Sequence, residues 1–498
     1  MTTNLNDGSR EEGVQFASVD GQRSSQRAGK TVLADAVRAV TPELASRIER
    51  TQKWRKSYIG PFTDTVIAGV ASHKDALRIA ADGLASLHAN LTFVRAGNES
   101  SISNSLAAPT THFETEVVEG AGERRTELAV PYRGELLEGD ALRRQLDEWE
   151  RNDIIEPSSR AALALVIDNP GWLDLSDRYF ALLGASSEMG PLEPLSAWGA
   201  NVIAIDLPRE RLWTHILDVT RAGSGRLHVP VAPDRSGDVP QTAGFDLLTM
   251  TPEARAWLGG FEQQFTIGNY VYADGATFVR LAGAADALID DILRARPEVS
   301  LAYLATPTDV FAVPEAIALR GRERRGRSVV KSTITAVSRS ALYAPNYADL
   351  VVGENGRRWG ISDSLVPIQG PNYALAKSMQ RWRAVVARED GTLTSANVAP
   401  ASNTTSVTKN KVLAAVYRGA PSFGVEIFQP ETTRVLMAAL LVHDIRNGSS
   451  SSHPDRELEH PFDLFADGAL HGGIWRLPYQ PRSILPLGLL KGFVSRRS

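Results

Sequence analysis

Apolar positions recur along this chain in two rhythms, and the change of rhythm divides it. From Val32 onward Leu33, Val37, Val40 and Leu44 lie three and four apart, as do Leu77, Ala80, Leu84 and Leu87, the period of amphipathic helices on a core. Between them RTQKWRKSYIGPF interleaves basic residues with Trp54, Tyr58 and Phe62. A helix end bordering the core is expected there, ahead of stacking on a nucleic acid. His112 to Tyr132 alternates, with β-branched residues on both sides of GAGER, the signal of a β-hairpin. GDALRRQLDEWERNDII, with Leu142, Leu146 and Trp149 on one face, and SSRAALALVIDNP, stopped by Asn169 and Pro170, read as two further helices.

Past Gly171 short apolar runs alternate with helical segments. YFALL, NVIAID, RLHVPV and the strand in VSLAYLATPTD are separated by helices through Ile216 and Val219, through LLTMTPEARAWLGGF and through LAGAADALIDDIL. A later strand, LTSANVAP, precedes the helix PETTRVLMAALLVHDI. Such alternation predicts an α/β fold, a Rossmann-like doubly wound parallel sheet with helices on both faces. The expected organisation is a disordered leader over 1–30, whose polar composition does not offset the entropy of ordering, and a mostly helical accessory region over 31–170. The sheet domain then covers 171–450 with an insertion near 315–360, and a C-terminal extension covers 451–498.

Composition narrows the chemistry. The chain of 498 residues has no cysteine, which removes disulfides, zinc–thiolate sites and thiol nucleophiles, and its nine histidines show no helical metal-ligand spacing, so no metal is expected. A net charge of -4 gives no global attraction to nucleic acid, and no apolar run is long enough to span a membrane. The polar, acidic N-terminus lacks the pattern of a signal peptide, so a cytoplasmic location is expected. Locally, LRGRERRGRSVVK gathers Arg320, Arg322, Arg324, Arg325, Arg327 and Lys331. It is expected to be a solvated surface loop, with a seat for an anionic substrate, a phosphopantetheine carrier or coenzyme A as the alternative. The apolar tail SILPLGLLKGFVSRRS is expected to dock as an extended segment, because Pro481 and Pro486 interrupt a helix.

Two constellations carry chemistry. Tyr179 to Asp206 reads as strand, small-residue turn, helix and second strand ending in an acid, the order of a dinucleotide-binding βαβ unit. Gly184 to Gly190 would make the turn, free N–H groups opening the helix would face a pyrophosphate, and Asp206 would accept the ribose hydroxyls. In GPNYALAKSMQRWR, a helix starting near Asn372 places Tyr373 and Lys377 four apart on one face. A neighbouring ammonium favours the phenolate, which lets a tyrosine exchange a proton with an alcohol or carbonyl oxygen.

With these residues in place the chain resembles the short-chain dehydrogenase/reductase superfamily over roughly residues 171 to 450. GASSEMGPLEPLSAWGANVIAID looks like the family's nucleotide-binding unit, YALAK matches its Tyr-x-x-x-Lys, and NVAPASNTT is similar to its loop over the nicotinamide. The resemblance implies an NAD-dependent oxidoreductase acting on a small carbonyl or alcohol. Gly184, Ser186, Ser187 and Gly190 would lie at the phosphates, Asp206 at the ribose, and Tyr373 with Lys377 would handle the proton. The acid favours NAD, and Arg209 nearby leaves room for NADP. The catalytic serine is expected at Ser362, with Ser364 and Ser338 as alternatives; ATPTD or YADG would stand for the family's Asn-Asn-Ala-Gly strand end. Glu188 departs from the pattern by placing a carboxylate where the family has glycine. The resemblance also implies a homo-oligomer through the Tyr-Lys helix. The alternative function is a non-catalytic nucleotide-binding sensor or scaffold.

Overall fold

The computed structural model describes residues 12–233, 237–326 and 342–494. Order begins earlier than composition predicts. Gly13–Phe16 (β1) is fully buried, and Ser25–Arg38 (α1) follows, with the Ser24 side chain accepting from the Arg27 N–H to cap it. The expected leader over 1–30 is therefore corrected for residues 13–30: Val14 and Phe16 bury enough apolar surface to fix a short strand. Residues 1–11 lie outside the described part. Ile59–Val70 (α2) and His73–Ala89 (α3) pack beside α1, and Trp54, Tyr58 and Phe62 are all buried, as a helix end bordering the core requires. Leu91–Arg95 (β2) and Asn98–Ser101 (β3) complete a small antiparallel sheet with β1.

The expected hairpin over 112–132 does not form. Glu114–Glu119 (β4) runs antiparallel to the strand Arg226–Val231, while Val130–Tyr132 (β5) turns onto Glu135–Leu137 (β6). The GAGER glycines serve close approach, not chain reversal: a Cβ on Gly122 would lie 2.1 Å from the Ala222 carbonyl oxygen. Gly139–Arg151 (α4) and Pro157–Asp168 (α5) form where the periodicity places them.

Strands and helices then alternate as the pattern predicts. Tyr179–Leu183 (β7), Leu192–Ala197 (α6), Asn201–Ile205 (β8), Glu210–Ala222 (α7) and Arg226–Val231 (β9) come first. Thr251–Gly259 (α8), Phe265–Asn269 (β10), Gly275–Ala295 (α9) and Ser300–Ala305 (β11) follow. After an inserted unit come Pro371–Glu389 and Thr394–Val398. The described residues form a mixed α/β structure around a seven-stranded sheet, six strands parallel and β4 antiparallel at one edge. The chain builds outward from β7 through β8 to β9, then returns to place β10, β11 and Thr394–Val398 on the other side of β7. Phe180 and Leu182 enter one core and Ala181 and Leu183 the other, so helices cover both faces and the central strands read as unbroken apolar runs. FTIGN at β10 is not singled out by pattern, because Thr, Gly and Asn break its apolar run; its central place buries it regardless.

The insertion is ordered where it is described. Val310–Pro314 (β12), Glu315–Gly326 (α10), Val351–Val352 (β13) and Arg358–Asp363 (β14) make a helix on a three-stranded antiparallel sheet. Three of the arginines in its basic run are engaged by the protein itself. Arg320 donates to Asp153 Oδ1 at 3.1 Å, Arg322 to the Tyr347 carbonyl at 2.6 Å and Arg324 to the Arg476 carbonyl at 3.3 Å. Arg320 and Arg324 tie the insertion to the accessory region and the C-terminal extension, and Arg322 braces it internally; the Arg325 side chain, Arg327, Lys331 and Ser338 lie outside the described residues.

Pro371–Glu389 (α11) is exposed only at Glu389. It packs on α9 from one side and on α3 and α1 from the other, so the accessory region occupies the face expected to carry a second copy. Thr394–Val398 (β15), Thr405–Lys409 (α12), Lys411–Gly419 (α13) and Pro430–Arg446 (α14) follow. The tail docks on the protein as expected but as a helix, Pro481–Val494 (α15), correcting the extended reading. Pro481 opens it, and Gly492 lets it lie against α13 so closely that a Cβ would sit 1.8 Å from the Ala415 carbonyl oxygen. Among the described residues no helix is long and apolar enough to cross a membrane.

Candidate functional site

The strand order turns back between β7 and β10, and in open α/β sheets such a switch point opens a crevice beyond the C-terminal strand ends, where ligands bind. On the β7 side Gly184 has φ +80, and a Cβ there would stand 3.1 Å from the Tyr270 carbonyl oxygen, so only glycine closes the strand this tightly. The turn folds on itself: Ser187 N–H donates to the Gly184 carbonyl at 2.9 Å and Gly190 N–H to the Ser187 carbonyl at 2.8 Å. Asp206, 8% exposed at the end of β8, accepts from Ser186 N–H at 2.7 Å through Oδ2 and from Leu207 N–H at 2.8 Å through Oδ1. It thus shapes the turn before any ligand arrives. A carboxylate has about four lone-pair sites, so ribose hydroxyls still find acceptors on it.

Two features differ from the expected cradle. The helix after the turn, α6, has six residues, and Pro194 within it has no N–H, so its end offers an anion fewer donors than a long helix would. Glu188 reaches across the crevice and caps α12, accepting from Thr405 N–H at 2.8 Å and from its hydroxyl at 3.2 Å. The residues therefore fit the adenosine end of a dinucleotide, with Gly184 and Asp206 in place. Glu188 would set a negative charge beside the phosphates of such a ligand.

On the other side, Gly370 with φ +82 and Pro371 start α11, and Tyr373 and Lys377 fall one turn apart. Tyr373 packs its ring 5.9 Å from that of Phe278, and its hydroxyl lies beside a cluster of Thr306, Thr308 and Gln369. That cluster is itself knit, with Thr306 and Thr308 hydroxyls 3.0 Å apart and Gln369 Nε2 donating to Thr308 Oγ1 at 2.8 Å. Burial raises the Tyr373 phenol above its usual value, against the hydrogen bond from Thr306. The expected lowering by Lys377 is thus corrected. The Lys377 ammonium donates to Gln380 Oε1 at 2.9 Å, and burial brings it down to about 8, against the pull of Asp309.

Ser362 is also corrected as the catalytic hydroxyl. It is fully buried on β14, 3.4 Å from the Ser364 hydroxyl and beside Tyr347, whose own hydroxyl donates to the Trp475 carbonyl. Counting back a fixed distance from Tyr373 led into the insertion. The hydroxyls that meet Tyr373 are Thr306 and Thr308, within the ATPTD segment that follows β11. The signal was a pair of threonines at a strand end before an insertion. YADG instead follows β10, the strand beside β7.

A groove of about 830 Å³ lies at the far end of α11, lined by His73, Arg357, Arg388 and Glu389. Its cations are already engaged: Arg388 donates to the Ser451 carbonyl at 2.6 Å, and Arg357 pairs with Asp463 at 2.5 Å. The crevice remains the better candidate. Comparison with known proteins returns no family model, no curated protein and no solved structure that matches this chain.

Proposed function

We propose that the chain is a Rossmann-like NAD(P)-dependent oxidoreductase that interconverts a small carbonyl and the corresponding alcohol. The observation that carries this reading is that the Gly184 turn, Asp206 and the Tyr373 hydroxyl all belong to the C-terminal edge of one sheet, on either side of its reversal. Gly184 and Asp206 would hold the adenosine half of the cofactor, and the nicotinamide, when bound, supplies or accepts the hydride. Tyr373, its phenol raised by burial, stays protonated at neutral pH and suits donation to a carbonyl oxygen. Thr306 and Thr308 orient that hydroxyl, and Lys377, near 8, adds a charge that titrates close to neutrality. A second reading, a nucleotide-binding sensor or scaffold without turnover, is favoured by the Glu188 contact across the crevice.

One experiment separates them. Calorimetric titration with NADH should show binding by wild-type protein and equally by Tyr373→Phe, while turnover of a carbonyl panel falls by about 10²–10⁴ in the variant. Binding without turnover by the wild type selects the sensor, and no binding of NADH or NADPH removes both readings.

A further inference from the structure

Behind Lys377, at the end of β11, lies a cavity of about 10 Å³ lined by Tyr303, Thr306, Asp309, Lys377, Gln380 and Arg381. Two of its walls are polar and buried yet lack a protein partner. Tyr303 is 5% exposed and Gln380 7%, and neither the Tyr303 hydroxyl nor Gln380 Nε2 has a hydrogen-bond partner among the described residues. Leaving a buried donor unmet costs about 1–3 kcal/mol, and folded proteins rarely leave two on one small cavity. A single water needs roughly this volume and two to four polar neighbours. Asp309, 1% exposed, stands on the same wall, with Oδ1 accepting from Val310 N–H at 2.7 Å and Oδ2 3.0 Å from Arg381 Nε.

We propose that this cavity is a built site for one water molecule, bonded to the Tyr303 hydroxyl and the Gln380 amide, and that Asp309 is the positioning residue for the Lys377 ammonium. The water accepts from Gln380 Nε2 and donates to Tyr303 or to Asp309 Oδ2. The same Gln380 takes the Lys377 proton donor on its other atom, so the water and Lys377 are joined through one side chain. The groups that face Lys377 are Asp309 from the segment after β11, the Phe278 ring 5.9 Å away from α9, and Gln380 and Tyr373 on its own helix. Burial raises the Asp309 carboxyl above its usual range and Asp363 adds to the rise, while Arg381, the Val310 N–H and Lys377 itself favour its charged form. Among these, Asp309 is the carboxylate that favours the charged amine, against the burial that disfavours it.

The water site stands without the oxidoreductase reading; only the use of Lys377 in proton transfer rests on it. Both tests avoid cofactor and substrate, so they can succeed where that reading fails. Tyr303→Phe removes one hydroxyl and nothing else. With a bound water the melting temperature should fall by about 1–3 °C as a bond is lost. An unchanged or higher value, as expected when an unmet buried hydroxyl is deleted, overturns the site. For Asp309, acylation of Lys377 against pH, read by mass spectrometry, gives the amine's titration midpoint. Asp309→Asn should lower that midpoint by about one pH unit and Asp309→Glu should restore it. A midpoint equal to wild type in Asp309→Asn overturns the positioning role. If that variant does not fold, Asp309→Asn/Arg381→Met leaves no unpaired guanidinium and is judged by the same midpoint.

Discussion

The two halves of the crevice are held in opposite ways. Around Gly184 and Asp206 most hydrogen bonds are made within one strand–turn–helix–strand unit, largely by backbone N–H groups, with Tyr270 and Phe245 N–H groups adding bonds from outside it. Around Tyr373 and Lys377 the partners come from distant parts of the chain: Thr306, Thr308 and Asp309 from the segment after β11, and Phe278 from α9. Beneath them Arg383 of α11 pairs with Asp286 of α9, which also meets His88 of the accessory region at 2.8 Å. The cradle's shape is thus a local property, whereas the proton-handling side depends on the whole molecule. The accessory region is part of that support, since α3 and α1 cover the face of α11 turned away from the sheet domain.

If the contrast is sound, the largest loss comes from the long-range side. Asp286 is 4% exposed and accepts from Arg383 Nε at 2.8 Å and from its second nitrogen at 2.9 Å. Burial opposes the Asp286 charge, but the Arg383 guanidinium overrides it and holds the carboxyl well below its usual range. Asp286→Ala leaves Arg383 buried with only Asp290, at 2.7 Å, as a partner. A loss of about 3–5 kcal/mol is expected in urea denaturation, because the cation stays desolvated after losing its two-bonded carboxylate and keeps one partner in place of two. A loss under about 1 kcal/mol would show that α11 does not hang on this pair.

Legibility follows the same division. The Tyr179–Asp206 unit was readable because its strand, turn and acid sit within one short stretch and their chemistry is mostly their own. The spacing of Tyr373 and Lys377 was readable too, since a helix fixes it. What surrounds them was not. Thr306 and Thr308 are separated from Tyr373 by a complete inserted helix and sheet, and fixed spacing pointed instead to Ser362. The strand β1 and the partner of β4 were missed for a related reason: both pair with segments remote in sequence, and period alone does not name a partner. The Arg320 segment looked like surface because composition does not reveal that Asp153 and two backbone carbonyls await it.

A smaller loss is expected from the local side. Asp206→Ala removes the acceptor of Ser186 N–H and Leu207 N–H, both close to the surface of the crevice, where water replaces part of what is lost. Denaturation should show about 1–2 kcal/mol, below the loss for Asp286→Ala. Equal losses in the two variants would erase the distinction between a locally built cradle and a globally supported helix.

The smallest effect, and the one most specific to ligand, belongs to Glu188. The side chain is exposed and its hydrogen bonds to Thr405 join two surface segments, so Glu188→Gln, which keeps an acceptor oxygen, should change stability by less than about 0.5 kcal/mol. On the dinucleotide reading the variant removes a negative charge from beside two phosphates. One surface charge pair is worth about 1 kcal/mol in water-like surroundings, so NADH should bind roughly five-fold more tightly. The origin of that gain is checked by salt: at 1 M ionic strength the screening length shortens to about 3 Å and the advantage should disappear. Adenosine, which has no phosphate, should bind both proteins alike. A gain that survives high salt, or that extends to adenosine, would mean that Glu188 acts through the Thr405 segment and the shape of the crevice, and that its charge does not meet the phosphates.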